Sequence, residues 1–513
     1  MCLELKEKNE NHLVLLMDEM AIRKELRYNS KLDLIDGFEC TGFERTNKIG
    51  KQVCVFMLKS MFSNWSSILN YFVSENGLTS NVLCGIIKEI LRMISSFGIN
   101  INVLVCDQGS SNRKCFSNFG VSTEKPYFNF EGKKIYCMFD FLHLIKSLRN
   151  GLLKCDLKTP DGIVSFKVIQ EFWEREENCN TKMCPKLTRQ HIFPNSFQKM
   201  RVKFATQVFS KTVEAAIKTI CDASGFKQSP QAVALSTAEF ISKIDKIFDC
   251  MNSGSLYSDN CYRSAIQLNK EPHKFIQLFL CYLEGVEFVD EKKRVYFLDG
   301  MKLSLKSALL IVEEVLNDNS DTFFIMTKSL NQDKLENIFA VLRQKGGNNT
   351  NPSVAELNNI LARLLAFKII KNSSLSNCEE TQDSMDQVIT SVSNNEPELL
   401  VNEEEDNSLL YDFDLNDQWH ENYFLEDSFC NQSDISLELV SIRYFVGYVA
   451  YKIIPRLKCE KCCEELRKKD EVLTAPSELF IFHKNYQSLT DFGNLVAPSE
   501  PLMSASVKHV IIF

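Results

Sequence analysis

The sequence predicts an α/β fold, in which a mixed five-stranded sheet with helices is interrupted by a large all-helical insertion and followed by a small C-terminal domain. Three observations lead to this prediction. Short apolar runs before residue 150 stop at polar residues, as buried strands do. Residues 151–330 contain amphipathic helical windows and few strand signals. Residues 372–435 are acidic, which indicates a disordered linker before the last domain.

The composition is that of a globular chain. It has 513 residues, of which 44% are hydrophobic and 25% charged, and this length suits roughly two to four domains. The formal net charge of −8 gives no global basic signature for nucleic acid, although a local basic patch is compatible with it. The 19 cysteines, the absence of a signal peptide and the absence of a bilayer-length apolar run predict a soluble protein in a reducing compartment.

The first strands are expected to form an antiparallel meander. Residues 1–12 are polar and are predicted to be flexible, so the sheet domain begins with the first part, 13–150. The apolar run 13–17 stops at Asp18, and the runs 34–39 and 53–58 are the next two predicted strands. The first strand therefore presents Asp18 at its carboxyl end.

A strand–helix–strand unit then presents a second acid. Helical periodicity over 82–97 is preceded by the capping residue Thr79 and followed by Gly98. The strand 101–106 ends at Asp107, and a fifth strand, 134–139, is followed by a helix from Asp140. Because sites in open sheets lie at the carboxyl ends of parallel strands, we expect Asp18 and Asp107 to face one site.

The remaining chain divides by composition. The helical insertion spans 151–330, with helices expected at 202–220 and 232–252. Closing helices of the sheet domain follow at 331–371, including a strong helix over 353–370, and the acidic linker 372–435 leads to a C-terminal domain at 436–513 with a helix at 437–454. The first closing helix carries Asp333 and Glu336 three residues apart, so both acids project from one face. Taken alone, such acids are either an ordinary solvated face or part of a metal site.

Four separated motifs resemble the P element transposase family and its relatives, the THAP-domain transposases. They are MDEMAIR at 17–23, CDQGSSN at 106–112, DFLHLIKSLRN at 140–150, and NQDKLENIFAVLRQKGGNNTNP at 331–352. They follow the order in which a ribonuclease-H-like (RNase H-like) nuclease presents its acids. The family resemblance covers about residues 12–370, and the tail around 448–462 is also similar to THAP-domain transposases.

The resemblance implies a two-metal nuclease site. Asp18, Asp107 and Glu336 match the three acids that hold two Mg²⁺ (or Mn²⁺) ions in the family. Carboxylate oxygens suit Mg²⁺, and two such ions stabilise the attacking and leaving oxygens in phosphoryl transfer. The implied activity is that of a DNA transposase, which cuts DNA strands and joins them through a 3′-hydroxyl.

The resemblance also implies that the insertion binds GTP, used to position DNA. The segment 197–203 resembles the family's lysine-bearing segment, with Lys199 and Lys203, and 248–253 resembles its guanine-reading segment, with Asp249 and Asn252. Asp333 resembles the acid that meets the magnesium of the nucleotide. No GxxxxGK[ST] pattern is present, which excludes a P-loop mechanism.

The partners implied are DNA, as transposon ends and target, and further copies of the chain on that DNA, in the nucleus and away from membranes. Arg343, Lys345 and Lys146 are candidate DNA contacts, because cationic side chains suit phosphates. Unlike the family, this sequence has no C-x-x-C…C-x-x-H pattern of a THAP zinc finger before residue 18. The alternative function is therefore a domesticated, transposase-derived protein that binds DNA or protein without catalysis.

Several polar residues have two interpretations. His143 either caps and packs near the site or takes part in catalysis. Cys459 and Cys462 have the spacing of a zinc pair, with His483 and His509 as distant additional ligands, or they are free buried thiols.

Overall fold

The computed structural model describes residues 12–30, 33–289, 295–318, 324–345, 351–372, 436–468, 476–484 and 496–510. These residues form two compact units, and the smaller one contains 22–37 and the described residues after 335 up to 372. The predicted flexible N-terminus (1–12, apart from His12) and acidic linker (372–435, apart from Asn372) lie outside the described residues.

The described residues contain thirteen strands, eight of them in one sheet. The strands are β1 (Leu13–Ala21), β2 (Arg27–Asn29), β3 (Leu34–Asp36), β4 (Phe38–Cys40), β5 (Arg45–Ile49), β6 (Gln52–Ser60), β7 (Ser66–Ser74), β8 (Ile101–Cys106), β9 (Tyr127–Phe130), β10 (Lys133–Phe139), β11 (Leu157–Thr159), β12 (Gly162–Val164) and β13 (Glu287–Phe288). The large sheet has the order β5-β4-β7-β6-β1-β8-β10-β9. The predicted α/β class with a mixed sheet is confirmed.

The centre of this sheet is buried on both faces. The first five residues of β1 are buried, and β1 pairs antiparallel with β6 and parallel with β8. Strand β10 pairs parallel with β8 and antiparallel with β9. This arrangement places the carboxyl ends of β1, β8 and β10 along one edge, as the strand–helix–strand pattern predicts.

The predicted number of five strands is wrong, because the large sheet has eight. Strand β5 consists of Arg-Thr-Asn-Lys-Ile and is largely exposed, so it carries no apolar signal. The predicted strand 34–39 is divided at Gly37, whose φ of +108° interrupts the extended backbone. The first strand also continues past residue 17 to Ala21, so Asp18 lies within β1 rather than after it.

The sheet is covered by helices α1 (Ser80–Ser96), α2 (Ser110–Asn118), α3 (Phe141–Leu152) and α11 (Tyr296–Asp318). The expected cap of α1 is confirmed, since the Thr79 side chain accepts from the Val82 amide and Gly98 follows with φ +73°. Helix α11 lies against β10: the Ser304 hydroxyl bonds with Phe139, and the Ser307 hydroxyl donates to the Cys137 carbonyl.

The rest of the inserted region contains α4 (Phe166–Glu176), α5 (Arg189–Ile192), α6 (Ser196–Met200), α7 (Val202–Val208), α8 (Lys211–Ala223), α9 (Gln231–Met251) and α10 (Glu271–Leu283). It is not all helical, because β11, β12 and β13 form a small antiparallel sheet. These strands have two or three residues each, too short for a recognisable alternation. The predicted helix 202–220 is two helices, which separate at Phe209, where ψ becomes positive at 36°.

Helix α12 (Asp333–Lys345) begins in the larger unit, and its residues from Glu336 onward belong to the smaller one. The smaller unit also contains the β2–β3 hairpin and α13 (Val354–Asn372). Within it the Arg23 amide donates to the Pro352 carbonyl at 3.1 Å, and the Arg23 guanidinium pairs with Glu356 at 3.1 Å.

The C-terminal region contains α14 (Leu437–Ile453), α15 (Glu460–Leu466), α16 (Leu479–Lys484) and α17 (Glu500–Val510). A buried ion pair joins Arg443 to Glu478 at 3.2 Å, and the Lys468 ammonium meets the same carboxylate at 2.9 Å. None of the described helices combines the length and the apolar composition needed to cross a bilayer.

Candidate active site

Three aspartates lie side by side where the parallel pairing of β1, β8 and β10 ends: Asp107 and Asp140 directly follow β8 and β10, and Asp18 lies within β1. Met17 of β1 pairs with Cys106 of β8, and Cys106 also pairs with Phe139 of β10. The residues that follow these three are Asp18, Asp107 and Asp140, which we call the acidic edge. Adjacent strands are roughly 4.8 Å apart, so Asp107 is flanked by Asp18 on one side and Asp140 on the other.

The Asp107 carboxylate is held by the loop that follows it. It accepts from the Gly109 amide at 3.2 Å and from the Asn112 side-chain amide, which also donates to the Asp107 carbonyl at 3.2 Å. A Cβ at Gly109 would lie 3.2 Å from the carboxylate, closer than most Cβ contacts, so glycine gives this loop the room to approach Asp107.

The Asp18 and Asp107 charges act on the same neighbouring thiols. Burial raises the pKa of the Cys54 and Cys106 thiols well above the usual value, and the negative charges of Asp18 and Asp107 raise it further. The structure therefore brings these two predicted ligands together. Two adjacent carboxylates are hard oxygen donors of the kind that Mg²⁺ and Mn²⁺ take.

The third member of the acidic edge was predicted only as the start of a helix. Asp140 is 3% exposed and caps α3, accepting from the His143 amide at 3.2 Å. Its other oxygen accepts from the Gln332 amide at 3.3 Å, 192 residues later in the chain. The His143 ring nitrogen lies 4.0 Å from the Asp140 carboxylate, which fits the capping and packing interpretation of His143.

Glu336, the third predicted ligand, is exposed on α12, one turn after Asp333. Leu335, Ile338 and Phe339 are buried, as the amphipathic pattern predicts. Glu336 begins the part of α12 that belongs to the smaller unit, and its role as a partner of Asp18 and Asp107 stays a prediction. Among the described residues, no group of three histidine, cysteine, aspartate or glutamate side chains could hold a metal ion.

Two of the predicted nucleotide-binding residues share a partner. The Asn331 side-chain amide donates to Asn252 at 3.2 Å and to Asp333 at 2.8 Å. Asn252 directly follows α9 of the inserted region, and Asp333 begins α12. The amide of Asn331 thus brings together two residues that lie far apart in the sequence.

Asp249 is engaged within the inserted region. Its carboxylate accepts from the Asn260 side chain at 2.9 Å and from the Arg263 guanidinium at 3.0 Å. Burial raises the pKa of Asp249, and the neighbouring Arg263 opposes that rise. A guanine edge would therefore have to replace Arg263 or share the carboxylate with it.

The basic candidates are spread over several elements. Lys199 on α6 and Lys203 on α7 are exposed, and the Lys199 carbonyl accepts from Arg149 and Asn150 of α3 at 3.2 and 3.1 Å. Of the candidate DNA contacts, Lys146 is half-buried on α3 and Arg343 is exposed on α12. The side chain of Lys345 lies outside the described residues. All of these assignments stay predictions.

Sequence reasoning missed the polar residues that join the inserted region to the acidic edge. Asn331 and Gln332 are 2% and 1% exposed, and Lys59, 5% exposed, donates to the Lys328 carbonyl at 2.8 Å. Burial lowers the pKa of Lys59 to about 7. The only signal for the amide pair was its place directly before Asp333.

Family models match three regions of the chain. They describe a TNP-like RNase H N-terminal domain at residues 2–120, a TNP-like GTP-binding insertion domain at 142–264, and a TNP-like RNase H C-terminal domain at 329–360. Together these matches cover more than half of the 513 residues.

The chain belongs to the TNP-like family. The resemblance predicted from the four motifs is thereby confirmed, and residues 142–264 match the family's GTP-binding insertion domain. The first match begins before β1 and extends beyond Asp107, and the third contains Asn331, Gln332, Asp333 and Glu336.

Two curated relatives are transposases. The Transposable element P transposase of Drosophila melanogaster is 26% identical over 345 residues, which are 66% of this chain and 43% of the relative. The human DNA transposase THAP9 is 21% identical over 513 residues, 92% of this chain and 53% of the relative. This TNP-like chain thus spans about half the length of the curated relatives it matches.

A solved structure has the same fold. The Drosophila P element transposase strand transfer complex superposes with a TM-score of 0.59 at 23% identity, covering 69% of this chain and 76% of that one. At this level of identity the similarity establishes the RNase H-like fold with its insertion.

The cysteine pair in the tail is not buried. Cys459 and Cys462 are exposed at the start of α15, which contradicts the buried-thiol interpretation. His483, a distant zinc candidate, instead meets Asp222 of the insertion domain at 2.7 Å. The side chain of His509 lies outside the described residues.

Proposed function

We propose that this chain is a DNA transposase of the P element type, or the catalytic core of one, which cuts and joins DNA strands by two-metal phosphoryl transfer. The observation that carries the proposal is the pairing of Met17 with Cys106, which makes Asp18 and Asp107 neighbours at one sheet edge. Membership in the TNP-like family and the transposase relatives support the same reaction class.

Asp18 and Asp107, with Glu336 as the proposed third ligand, would hold the divalent ions. Bound there, Mg²⁺ or Mn²⁺ would activate the attacking oxygen and stabilise the leaving oxygen of the phosphodiester. The chain's own contribution is positional: Gly109 and Asn112 fix the Asp107 carboxylate before DNA arrives. Arg343, Lys345 and Lys146 are proposed to meet the DNA backbone.

GTP is proposed as a positioning cofactor of the insertion domain rather than as an energy source. Lys199 and Lys203 would meet its phosphates, and Asp333 its magnesium. Asp249 would accept from the guanine edge, and Asn252 would hydrogen-bond the base or the sugar. The partners proposed are transposon ends, target DNA and further copies of the chain, and the proposed location is the nucleus.

The test is a cleavage and joining assay. Purified protein is given supercoiled DNA or a pre-nicked transposon end with Mg²⁺ or Mn²⁺. We expect metal-dependent products, a loss of at least 100-fold in Asp107→Asn, and no loss in the matched control Asp259→Asn, since Asp259 is exposed on the insertion domain.

The competing function is a domesticated protein that binds DNA without cutting it. This alternative is supported if wild type and Asp107→Asn yield the same amount of cleaved and joined DNA with every metal while both still bind DNA.

A further inference from the structure

We propose that Asn331 and Gln332 form a coupling segment through which nucleotide on the insertion domain sets the geometry of the acidic edge. The two are positioning residues, and the proposal rests on the function proposed above. Each of them bonds in a different direction: Asn331 to the insertion domain, and Gln332 to the catalytic sheet.

On the insertion side, one side-chain amide holds two elements. Asn331 donates to Asn252 at 3.2 Å and to Asp333 at 2.8 Å, while its own side-chain oxygen is buried without a hydrogen-bond partner. An unsatisfied buried acceptor requires an explanation, and a donor brought by a ligand or by a small rotation of the side chain would supply one.

On the catalytic side, Gln332 bonds to residues at two of the three strand ends. Its side-chain amide donates to the Met17 carbonyl at 2.7 Å, and its backbone amide donates to the Asp140 carboxylate at 3.3 Å. Met17 immediately precedes Asp18. The side-chain oxygen of Gln332 is also buried without a hydrogen-bond partner, as is that of Asn331.

The preceding residues repeat this two-sided arrangement. The Ser253 amide donates to the Thr327 hydroxyl at 2.9 Å, and that hydroxyl donates to the Cys250 carbonyl of α9 at 2.7 Å. The next carbonyl, of Lys328, accepts from Lys59 of β6. The segment 327–332 is therefore bonded to the insertion domain on one side and to the sheet on the other at two successive places.

These bonds form a mechanical path between the two sites. Consecutive Cα atoms are about 3.8 Å apart at fixed bond geometry, so a displacement of Asn331 moves Gln332. A nucleotide that bonds to Asn252 or Asp333 competes with the side-chain amide of Asn331 for these partners. The resulting shift of Asn331 and Gln332 changes the hydrogen bonds that Gln332 donates to Met17 and Asp140. Binding can shift such an equilibrium only by its different affinity for the two arrangements, and the effect is reciprocal.

The test measures hydrogen exchange at the backbone amide of His143. This amide donates to Asp140, so its exchange rate reports on the acidic edge. Hydrogen exchange is measured by mass spectrometry on the full chain with saturating GTP, with ATP and without nucleotide. We expect GTP to slow exchange both at Thr327 and at His143 in wild type, with a factor at His143 of roughly 5–150, the usual range of allosteric coupling.

Two variants break the path at different points. In Asn331→Ala and Gln332→Met, each measured at its own saturating GTP concentration, we expect protection to persist at Thr327 and to disappear at His143. Gln332→Leu also removes the donor to Met17 without adding a charge, so it gives the same result if the methionine variant does not fold. Gln170→Met is the matched control, because Gln170 bonds to Glu174 at the surface of α4.

The coupling is overturned if GTP slows exchange of the His143 amide equally in wild type and in Asn331→Ala. It is also overturned if GTP does not change the exchange rate of this amide in wild type. The exchange experiment needs no catalysis. Failure of the wild type to cut DNA with any metal therefore counts against the proposed reaction, whereas an unchanged His143 response counts against the coupling.

Discussion

Lys59 gives a prediction whose size follows from the structure. Lys59 is 5% exposed, and its ammonium donates to the Lys328 carbonyl and lies near the positive charge of Lys334. Burial, with a further contribution from Lys334 and against the opposing charge of Asp333, lowers the pKa of Lys59 from 10.5 to about 7. We predict that Lys59→Met removes a pH dependence of stability that wild type shows between pH 7 and 9.

The sign follows from proton binding. Between pH 7 and 10.5 the unfolded chain holds the Lys59 proton and the folded chain has begun to release it, so raising the pH favours the folded wild type. One proton is worth up to about 1.4 kcal/mol per pH unit. From pH 7 to 9, the unfolding free energy of wild type should therefore rise by about 2 kcal/mol relative to Lys59→Met.

The assay is urea unfolding followed by the fluorescence of Trp65, with the other two tryptophans replaced by phenylalanine. Trp65 is buried, and its carbonyl accepts from the Ser60 amide next to Lys59. Lys114→Met, at an exposed lysine, is the control and should run parallel to wild type. If Lys59→Met also runs parallel to wild type from pH 7 to 9, burial does not depress the Lys59 pKa and the reasoning is refuted.

Three further predictions concern other parts of the chain. GTP should raise the melting temperature and ATP should not, with a stabilisation of roughly 2.7 kcal/mol at a hundredfold excess over Kd; equal shifts by both nucleotides in a thermal-shift assay would contradict guanine recognition. Gly447→Ala should lower the stability of the C-terminal region despite the better helix propensity of alanine, because a Cβ would lie 2.1 Å from the Val496 carbonyl. Limited proteolysis of this region should therefore become faster. An unchanged cleavage rate would show that the backbone moves to accommodate the methyl group. Burial raises the pKa of Glu176 from 4.5 to about 7. Wild type should therefore lose stability relative to Glu176→Gln as the pH rises from 4.5 to 7. A constant difference between their unfolding free energies in urea across that pH range would count against the raised pKa.

The centre of the fold was predictable because burial on both faces leaves a continuous apolar run. The first strand and the strand before Asp107 were both found in this way, and the strand–helix–strand pattern predicted that Asp107 follows the carboxyl end of its strand. Strand β5 was not found, because an exposed edge strand such as Arg45–Ile49 has no apolar periodicity. Gly37 looked like part of a strand, and only its positive φ shows that the strand ends there.

In the candidate site too, some residues were predictable from local sequence patterns and others were not. Asp18 and Asp107 were identifiable because each follows an apolar run, so that a local pattern fixes where its side chain lies. Asp140 looked like a helix cap, and it is one, but its second oxygen meets an amide 192 residues away. Contacts at such separations leave no periodic trace in a single sequence. For the same reason the pairing of Asp249 with Arg263 could not be expected from the guanine-reading motif alone.

At Asn331 and Gln332, the segment that joins the insertion domain to the acidic edge has side-chain amides rather than charged groups. A buried carboxylate or ammonium in place of Asn331 or Gln332 would need a counter-ion inside the protein, and its large desolvation penalty would hold it in one arrangement. An amide donates and accepts at once, and exchanging one partner for another changes its free energy far less. Gln332 can therefore keep the Met17 carbonyl in wild type while Asn331 exchanges Asn252 or Asp333 for a nucleotide group. A pair of buried amides is a linkage that can switch, and this property follows from their hydrogen-bonding capacity alone.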